Sequence, residues 1–201
     1  MKDKDIIPVV DAAFNTAKPN QIYGEILELS KYVAELKAKY VLEIGTERGG
    51  TLFLWTRLSR KDAVIISIDL PGGRFGGGYP ESKIPLYKSF ARNKQKLHLI
   101  RKDSHIPAVL DETKKILSGH ELDFLFIDGD HTYEGVKKDF EVYSPLVRKN
   151  GMISFHDIVP GPFQNVGGVP KFWNEVKKDY KHFEIVKNAN QRGYGIGVIY
   201  V

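Results

Sequence analysis

Short apolar runs alternate with helix-period segments along almost the whole chain, and this alternation limits the fold more than any other feature. Tyr40 to Ile44, Ala63 to Ile68, Leu97 to Arg101, Leu122 to Ile127 and Met152 to Phe155 are apolar runs of strand length. Between them lie longer segments with helical spacing. Ile22 to Ala38 carries apolar residues at Ile22, Ile26, Leu29, Val33 and Leu36. Thr51 to Ser59, Pro107 to Leu117, Tyr133 to Val147 and Val169 to Tyr180 read as helices too, the second with proline in its first turn. Pro85 to Asn93 reads as a short helix, and Phe183 to Lys187 and Gly195 to Tyr200 as two closing strands. Repeated strand–helix–strand units predict an α/β fold, an open, mostly parallel sheet covered by helices on both faces. The 201 residues suffice for one domain with a full core, spanning 1–201, with residues 1–20 as an extension packed on it.

Composition removes several chemistries. The chain has no cysteine, so disulfides, thiolate metal sites and cysteine nucleophiles are excluded. No apolar run approaches the ~20 residues of a membrane span. The opening MKDKDIIPVVDAAF is charged early and lacks a signal-peptide core, which makes a cytoplasmic location the expectation. Thirty basic residues against 25 acidic ones give a net charge of +5. The lysines are scattered over presumed helix faces with no basic run or basic–aromatic module, which argues against nucleic acid as a partner.

In a sheet of this kind ligands sit beyond the carboxyl ends of the strands. The first five strands end in Glu43/Gly45, Asp69, Asp103-Ser104, Asp128-Gly129-Asp130-His131 and His156-Asp157. Acidic residues also cap helices, but five consecutive strands ending in acidic or glycine positions point to one polar pocket. The first junction, VLEIGTERGG, places Gly45 and Gly49 four residues apart, where a backbone must turn tightly and come close to a ligand. A nicotinamide fingerprint needs G-x-G-x-x-G, and Thr46-Glu47 interrupts it.

The E-x-G-x-x-x-G junction, Asp after the second strand, Asp-Ser after the third and Asp after the fourth resemble the class I S-adenosylmethionine-dependent methyltransferases from about Tyr23 onward. The segments IDLPGGRFGGGYP, FIDGDHTYEGVKKDF and GMISFHDI are similar to the branch holding the cephalosporin hydroxylase-like proteins and the metal-dependent small-molecule O-methyltransferases. The resemblance implies a three-layer αβα sandwich around a seven-stranded, doubly wound, Rossmann-like sheet with an antiparallel C-terminal strand. It implies S-adenosylmethionine as cofactor. Gly45, Thr46 and Gly49 would make room for it, and Glu43 would accept near its ammonium or from the loop. Asp69 would take both ribose hydroxyls, Asp103 and Ser104 would contact the adenine, and Asp128 would complete the cofactor wall.

Asp128 and Asp157 also match the metal-binding positions of catechol-type and sugar O-methyltransferases, with His156 where an acidic residue is commoner. The resemblance therefore implies a divalent ion at Asp128, His156 and Asp157: Mg²⁺, or, given the imidazole, Mn²⁺ or another transition metal. His131, three residues after Asp128, is the candidate base toward an acceptor hydroxyl. The loop PGGRFGGGYPESK, with Arg74, Phe75 and Tyr79, is expected to cover the cofactor, and VPGPFQNVGGVP to form another wall. His98, His105, His120 and His182 receive no role. The expected partner is a small molecule bearing a hydroxyl; its identity and the oligomeric state are left open. The other readings are a nitrogen or nucleic-acid methyltransferase, disfavoured by IDGDH after the fourth strand, a non-catalytic cofactor-binding module, and a nicotinamide oxidoreductase.

Overall fold

A computed structural model of the chain describes residues 3–73, 75, 77–188 and 190–201. Its elements run α1 (Asp3–Thr16), α2 (Tyr23–Leu36), β1 (Tyr40–Ile44), α3 (Gly50–Leu58), β2 (Val64–Ile68), α4 (Ile84–Lys88), β3 (Lys96–Ile100), α5 (Pro107–Leu117), β4 (Leu122–Ile127), α6 (Tyr133–Tyr143), β5 (Val147–His156), α7 (Phe163–Val166), α8 (Val169–Val176), β6 (Lys181–Ile185) and β7 (Ile196–Tyr200). The seven strands form one sheet in the order β3-β2-β1-β4-β5-β7-β6. Strands β1 to β5 pair in parallel, and β7 enters antiparallel between β5 and β6.

The central strands are mostly apolar because both faces are covered, and alternate side chains go to opposite layers, while the edge strands β3 and β6 are more polar and half-exposed. Val41, Ile65, Phe124, Phe126, Met152 and Val198 pack with Val10 of α1, Ile26 and Leu29 of α2, and Trp55 of α3. Leu42, Ile66, Leu125, Ile153, Phe155 and Ile199 pack on the other face with Val109 of α5, Phe140 of α6 and Phe172 and Trp173 of α8. This is the three-layer, doubly wound arrangement expected. No helix among the described residues is long and apolar enough to cross a membrane.

Several boundaries differ from the expected ones. Residues 3–16 form a full helix although Pro8 lies inside it, and they bury Ile6, Val10 and Ala13. The segment expected as one helix to Val147 stops at Tyr143, because Ser144-Pro145-Leu146 tightens into a 3₁₀ turn. β5 begins at Val147 rather than Met152: its register against β4 shifts between Leu122 and Phe124, which absorbs the polar stretch Arg148-Lys149-Asn150. α8 ends at Val176, where a 3₁₀ turn, Lys177–Asp179, takes over. Phe163–Val166, expected as loop, contains the single turn α7.

Candidate active site

The sheet's hydrogen-bond ladder runs one residue past the strands and fixes the site's starting points. Gly45 N–H donates to the Ile68 carbonyl, Asp128 N–H to Ile44, and Asp69 N–H to Ile100. These three residues therefore leave the sheet side by side. Above them opens a cavity of about 570 Å³ that runs along the carboxyl ends of β1 to β5. Gly45, Thr46, Asp69, Asp103, Ser104, Asp128, His131, His156 and Asp157 all line it.

Glu43 and Gly49, expected at the cofactor, do not reach the cavity. Glu43 is fully buried beneath the turn, with Oε1 accepting from the Trp55 indole N–H at 2.9 Å and Oε2 from the Thr46 hydroxyl at 2.9 Å. Burial pushes its carboxyl up to about 8. It holds the β1–α3 turn from below and leaves no oxygen for a ligand. Gly49 has a left-handed backbone (φ 80°), and a Cβ there would sit 2.7 Å from the Tyr87 ring. The glycine is required by that packing. At Gly45 (φ 90°) a Cβ would lie 2.0 Å from the Asp128 carbonyl oxygen, so only glycine lets the β1 and β4 exits stay adjacent.

At the other end of the cavity Asp69 accepts from the Glu47 amide at 2.9 Å, and burial raises its carboxyl to about 6. Asp103 accepts from the His105 amide at 2.8 Å and keeps 39% of its side-chain surface. Ser104 differs from its expected use, because its hydroxyl donates to the buried Asp139 of α6 at 2.6 Å. His105, which received no role from the sequence, lines the same cavity, with Nε2 3.2 Å from Asp139.

Four ionisable side chains meet where β4 and β5 end. His156 Nδ1 lies 3.1 Å from Asp128 Oδ1 and 3.5 Å from Asp157 Oδ2. His131 approaches the same two oxygens with different nitrogens, Nε2 at 3.3 Å from Asp128 Oδ1 and Nδ1 at 3.5 Å from Asp157 Oδ2. His131 Nδ1 also faces the Asn165 carbonyl at 2.5 Å. Burial opposes charge on both rings, but the carboxylates outweigh it: His131 rises to about 9 and His156 well above its usual value. Burial likewise opposes charge on Asp128, and the two imidazoles outweigh it, taking its carboxyl down to about 2. Asp157 has a left-handed backbone (φ 61°), and its Oδ1 accepts from the Tyr194 amide at 2.9 Å. Asp128, His131 and Asp157 each offer a ligand atom within 4.8 Å of the others, a spacing that suits one metal ion. That set has His131 where the sequence named His156.

The family model for the methyltransferase domain called Methyltransf_24 matches residues 42–158, which hold the strand exits β1 to β5. This chain belongs to that methyltransferase family. A curated relative, an uncharacterized protein of Acanthamoeba polyphaga mimivirus, is 33% identical over 116 residues, 58% of this chain and 50% of that one. The methyltransferase chain thus spans about half the length of that relative. Among solved structures it is similar to the O-methyltransferase TomG of Streptomyces achromogenes, involved in tomaymycin synthesis and solved with S-adenosylmethionine (TM-score 0.64, 16% identity, covering 100% of this chain and 91% of that one). It is also similar to an O-methyltransferase from Bacillus cereus in complex with S-adenosylhomocysteine (0.61, 17%, 99% and 90%). A third is a putative caffeoyl-CoA O-methyltransferase from Staphylococcus aureus (0.63, 17%, 99% and 92%). At these identities the likeness is one of fold.

The methyltransferase cavity also takes residues that sequence reasoning did not single out. Asn20 and Gln21 come from the α1–α2 link, Gln164 and Asn165 from α7, and Arg192 and Tyr194 from the β6–β7 loop. Only the second of these segments carried a signal, the Gly/Pro content of VPGPFQNVGGVP. From the glycine-rich loop, Phe75 stacks on His131 with centroids 5.0 Å apart, while Tyr79 is buried in the core. Arg74 lies outside the described residues.

Proposed function

We propose that this methyltransferase moves the methyl group of S-adenosylmethionine to a hydroxyl oxygen of a small molecule, with a divalent cation at the acceptor end. The observation that carries the reading is the single cavity along the strand exits. Asp69 and Asp103 line one end of it, and the Asp128–His131–His156–Asp157 cluster lines the other. Ribose hydroxyls donate to Asp69, and the adenine amine donates to the half-buried Asp103. The acidic lining favours the sulfonium charge.

The donor set fits a dication. Bonds of about 2.0–2.2 Å to one ion put neighbouring ligand atoms roughly 3 Å apart, and His156 meets both carboxylates with one nitrogen, at 3.1 and 3.5 Å. Asp128, His156 and Asp157 would hold the ion, which supplies orientation of the acceptor hydroxyl and a lower pKa for it. With a cation on Asp128 and Asp157, the carboxylates that raise His131 to about 9 are neutralised, and the ring, returned to its neutral form, serves as base. Its Nδ1–H donates to the Asn165 carbonyl, and this fixes the tautomer that leaves the Nε2 lone pair toward the site. Phe75 covers the ring and excludes water from it. In a second reading, favoured by the 4.8 Å grouping, His131 is itself a ligand. His131→Ala separates the two: a lost base lowers kcat by ~10²–10⁴-fold with the metal still bound, whereas a lost ligand lowers metal affinity.

Calorimetry tests the cofactor assignment. S-adenosylhomocysteine should bind and NADH should not; binding of NADH with no response to S-adenosylhomocysteine would overturn it.

A further inference from the structure

The N-terminal segment, outside the residues matched by the family model, reaches into the cluster at one point. Gln21 Nε2 donates to Asp128 Oδ2 at 2.9 Å. The other oxygen of the same carboxylate, Oδ1, is the one that faces His131 and His156. Gln21 thus sets the rotation of the Asp128 carboxylate and decides which oxygen is presented. The amide's orientation is unambiguous, because an ionised carboxylate accepts and does not donate.

Two further observations separate this contact from ordinary packing. The Gln21 Oε1 atom is buried with no hydrogen-bond partner among the described residues. An orphaned buried acceptor destabilises a fold, so the side chain is poorly explained by stability, and among the described residues its side-chain hydrogen bond is the one to Asp128. Its backbone is also firmly placed. Pro19, two residues earlier, packs so closely on Gly50 at the start of α3 that a Cβ on Gly50 would lie 2.4 Å from the Pro19 ring. The α1–α2 link is therefore keyed to the same β1–α3 turn that borders the cavity, and a side chain mounted on such an element positions its target reliably.

We propose that Gln21 is a positioning residue for the metal centre, holding Asp128 Oδ2 so that Oδ1 is turned to the cation. The inference rests on the proposed metal site and adds a residue to it from a different part of the chain. Partners of metal ligands commonly contribute 10–100-fold to metal affinity.

The test is titration of Mn²⁺ into the purified full chain, read by electron paramagnetic resonance of the free ion, for the wild type, Gln21→Met and Gln21→Ala. Both variants should bind Mn²⁺ 10–100-fold more weakly. S-adenosylhomocysteine affinity should stay within about twofold, since Gln21 is not assigned to the cofactor. Melting temperature should not fall for Gln21→Met, which removes the orphaned oxygen at similar volume. Equal Mn²⁺ affinity in wild type and both variants overturns the inference and leaves the metal site standing. A variant that loses melting temperature while keeping Mn²⁺ affinity also overturns it, by making Gln21 structural. A wild type that binds neither Mn²⁺ nor Mg²⁺, Co²⁺ or Zn²⁺ overturns the metal site and this inference with it.

Discussion

Two carboxyl groups a strand apart show how one residue type is put to different uses by its surroundings. Burial raises both, Glu43 to about 8 and Asp69 to about 6. Glu43 is sealed under the turn, so its shift bears on folding. An unfolded Glu43 ionises near its ordinary value while the folded one keeps its proton, so the native state binds the extra proton between those two values. Its contribution to stability is therefore full at low pH and is lost as pH rises toward 8. Glu43→Gln keeps the shape without that loss. Urea unfolding at pH 5 and pH 8 should show the variant gaining on the wild type by up to a few kcal/mol at the higher pH; parallel behaviour at both pH values would mean Glu43 is ionised in place. Asp69 faces the cavity, so its shift bears on binding. The ionised form accepts from two ribose hydroxyls more strongly than the protonated one, so S-adenosylhomocysteine affinity should weaken as pH falls through about 6. Asp69→Asn should bind more weakly and with a flat profile over that range. A wild-type profile that Asp69→Asn leaves unchanged would assign the titration elsewhere.

At the scale of elements, β1 to β4 and α5 could be read almost to the residue, because apolar runs with polar exits have few alternatives in a parallel sheet. Failures came where local chemistry contradicts the element that tertiary packing imposes. Pro8 argues against a helix, yet α1 forms because Ile6, Val10 and Ala13 share a face that α2 and α3 leave open. Arg148-Lys149-Asn150-Gly151 fell between the expected helix and strand, yet it continues β5 through an irregular register. The buried face of α1 gives a prediction. Burial of Ile6 and Val10 contributes on the order of 1.5–3 kcal/mol each, against a total stability of about 5–15 kcal/mol for a domain. Deleting residues 1–16 should therefore cost at least ~3 kcal/mol in urea unfolding; a loss under ~1 kcal/mol would show α1 to be a dispensable cover.

Over the whole molecule, strand exits were the part of the site legible in the sequence, since topology alone brings Gly45, Asp69, Asp103, Asp128 and Asp157 to one edge. Gln21 and Tyr194 were not, because each reaches the site from a loop whose path depends on the completed fold. Glu43 lies beneath the turn, away from the cavity, and this was not legible for a related reason: nothing local reveals that the Trp55 indole is there to bond it. A site distributed this widely should link ligand binding to global stability. A dication bound only by the native cluster should raise the melting temperature, by the equivalent of about 2.7 kcal/mol at a hundred times its dissociation constant. Scanning calorimetry with Mn²⁺ and then with excess EDTA checks it; superimposable scans would count against a native metal site. The position of β7 adds a matter of timing. It pairs with β5 along Met152–His156, and the loop leading into it supplies the Tyr194 amide to Asp157. On the ribosome, β1 to β5 and every matched motif emerge before that strand does. A nascent chain therefore carries all its signature residues while Asp157 lacks its backbone donor and β5 has an open edge, and both are supplied only when residues 194–200 dock.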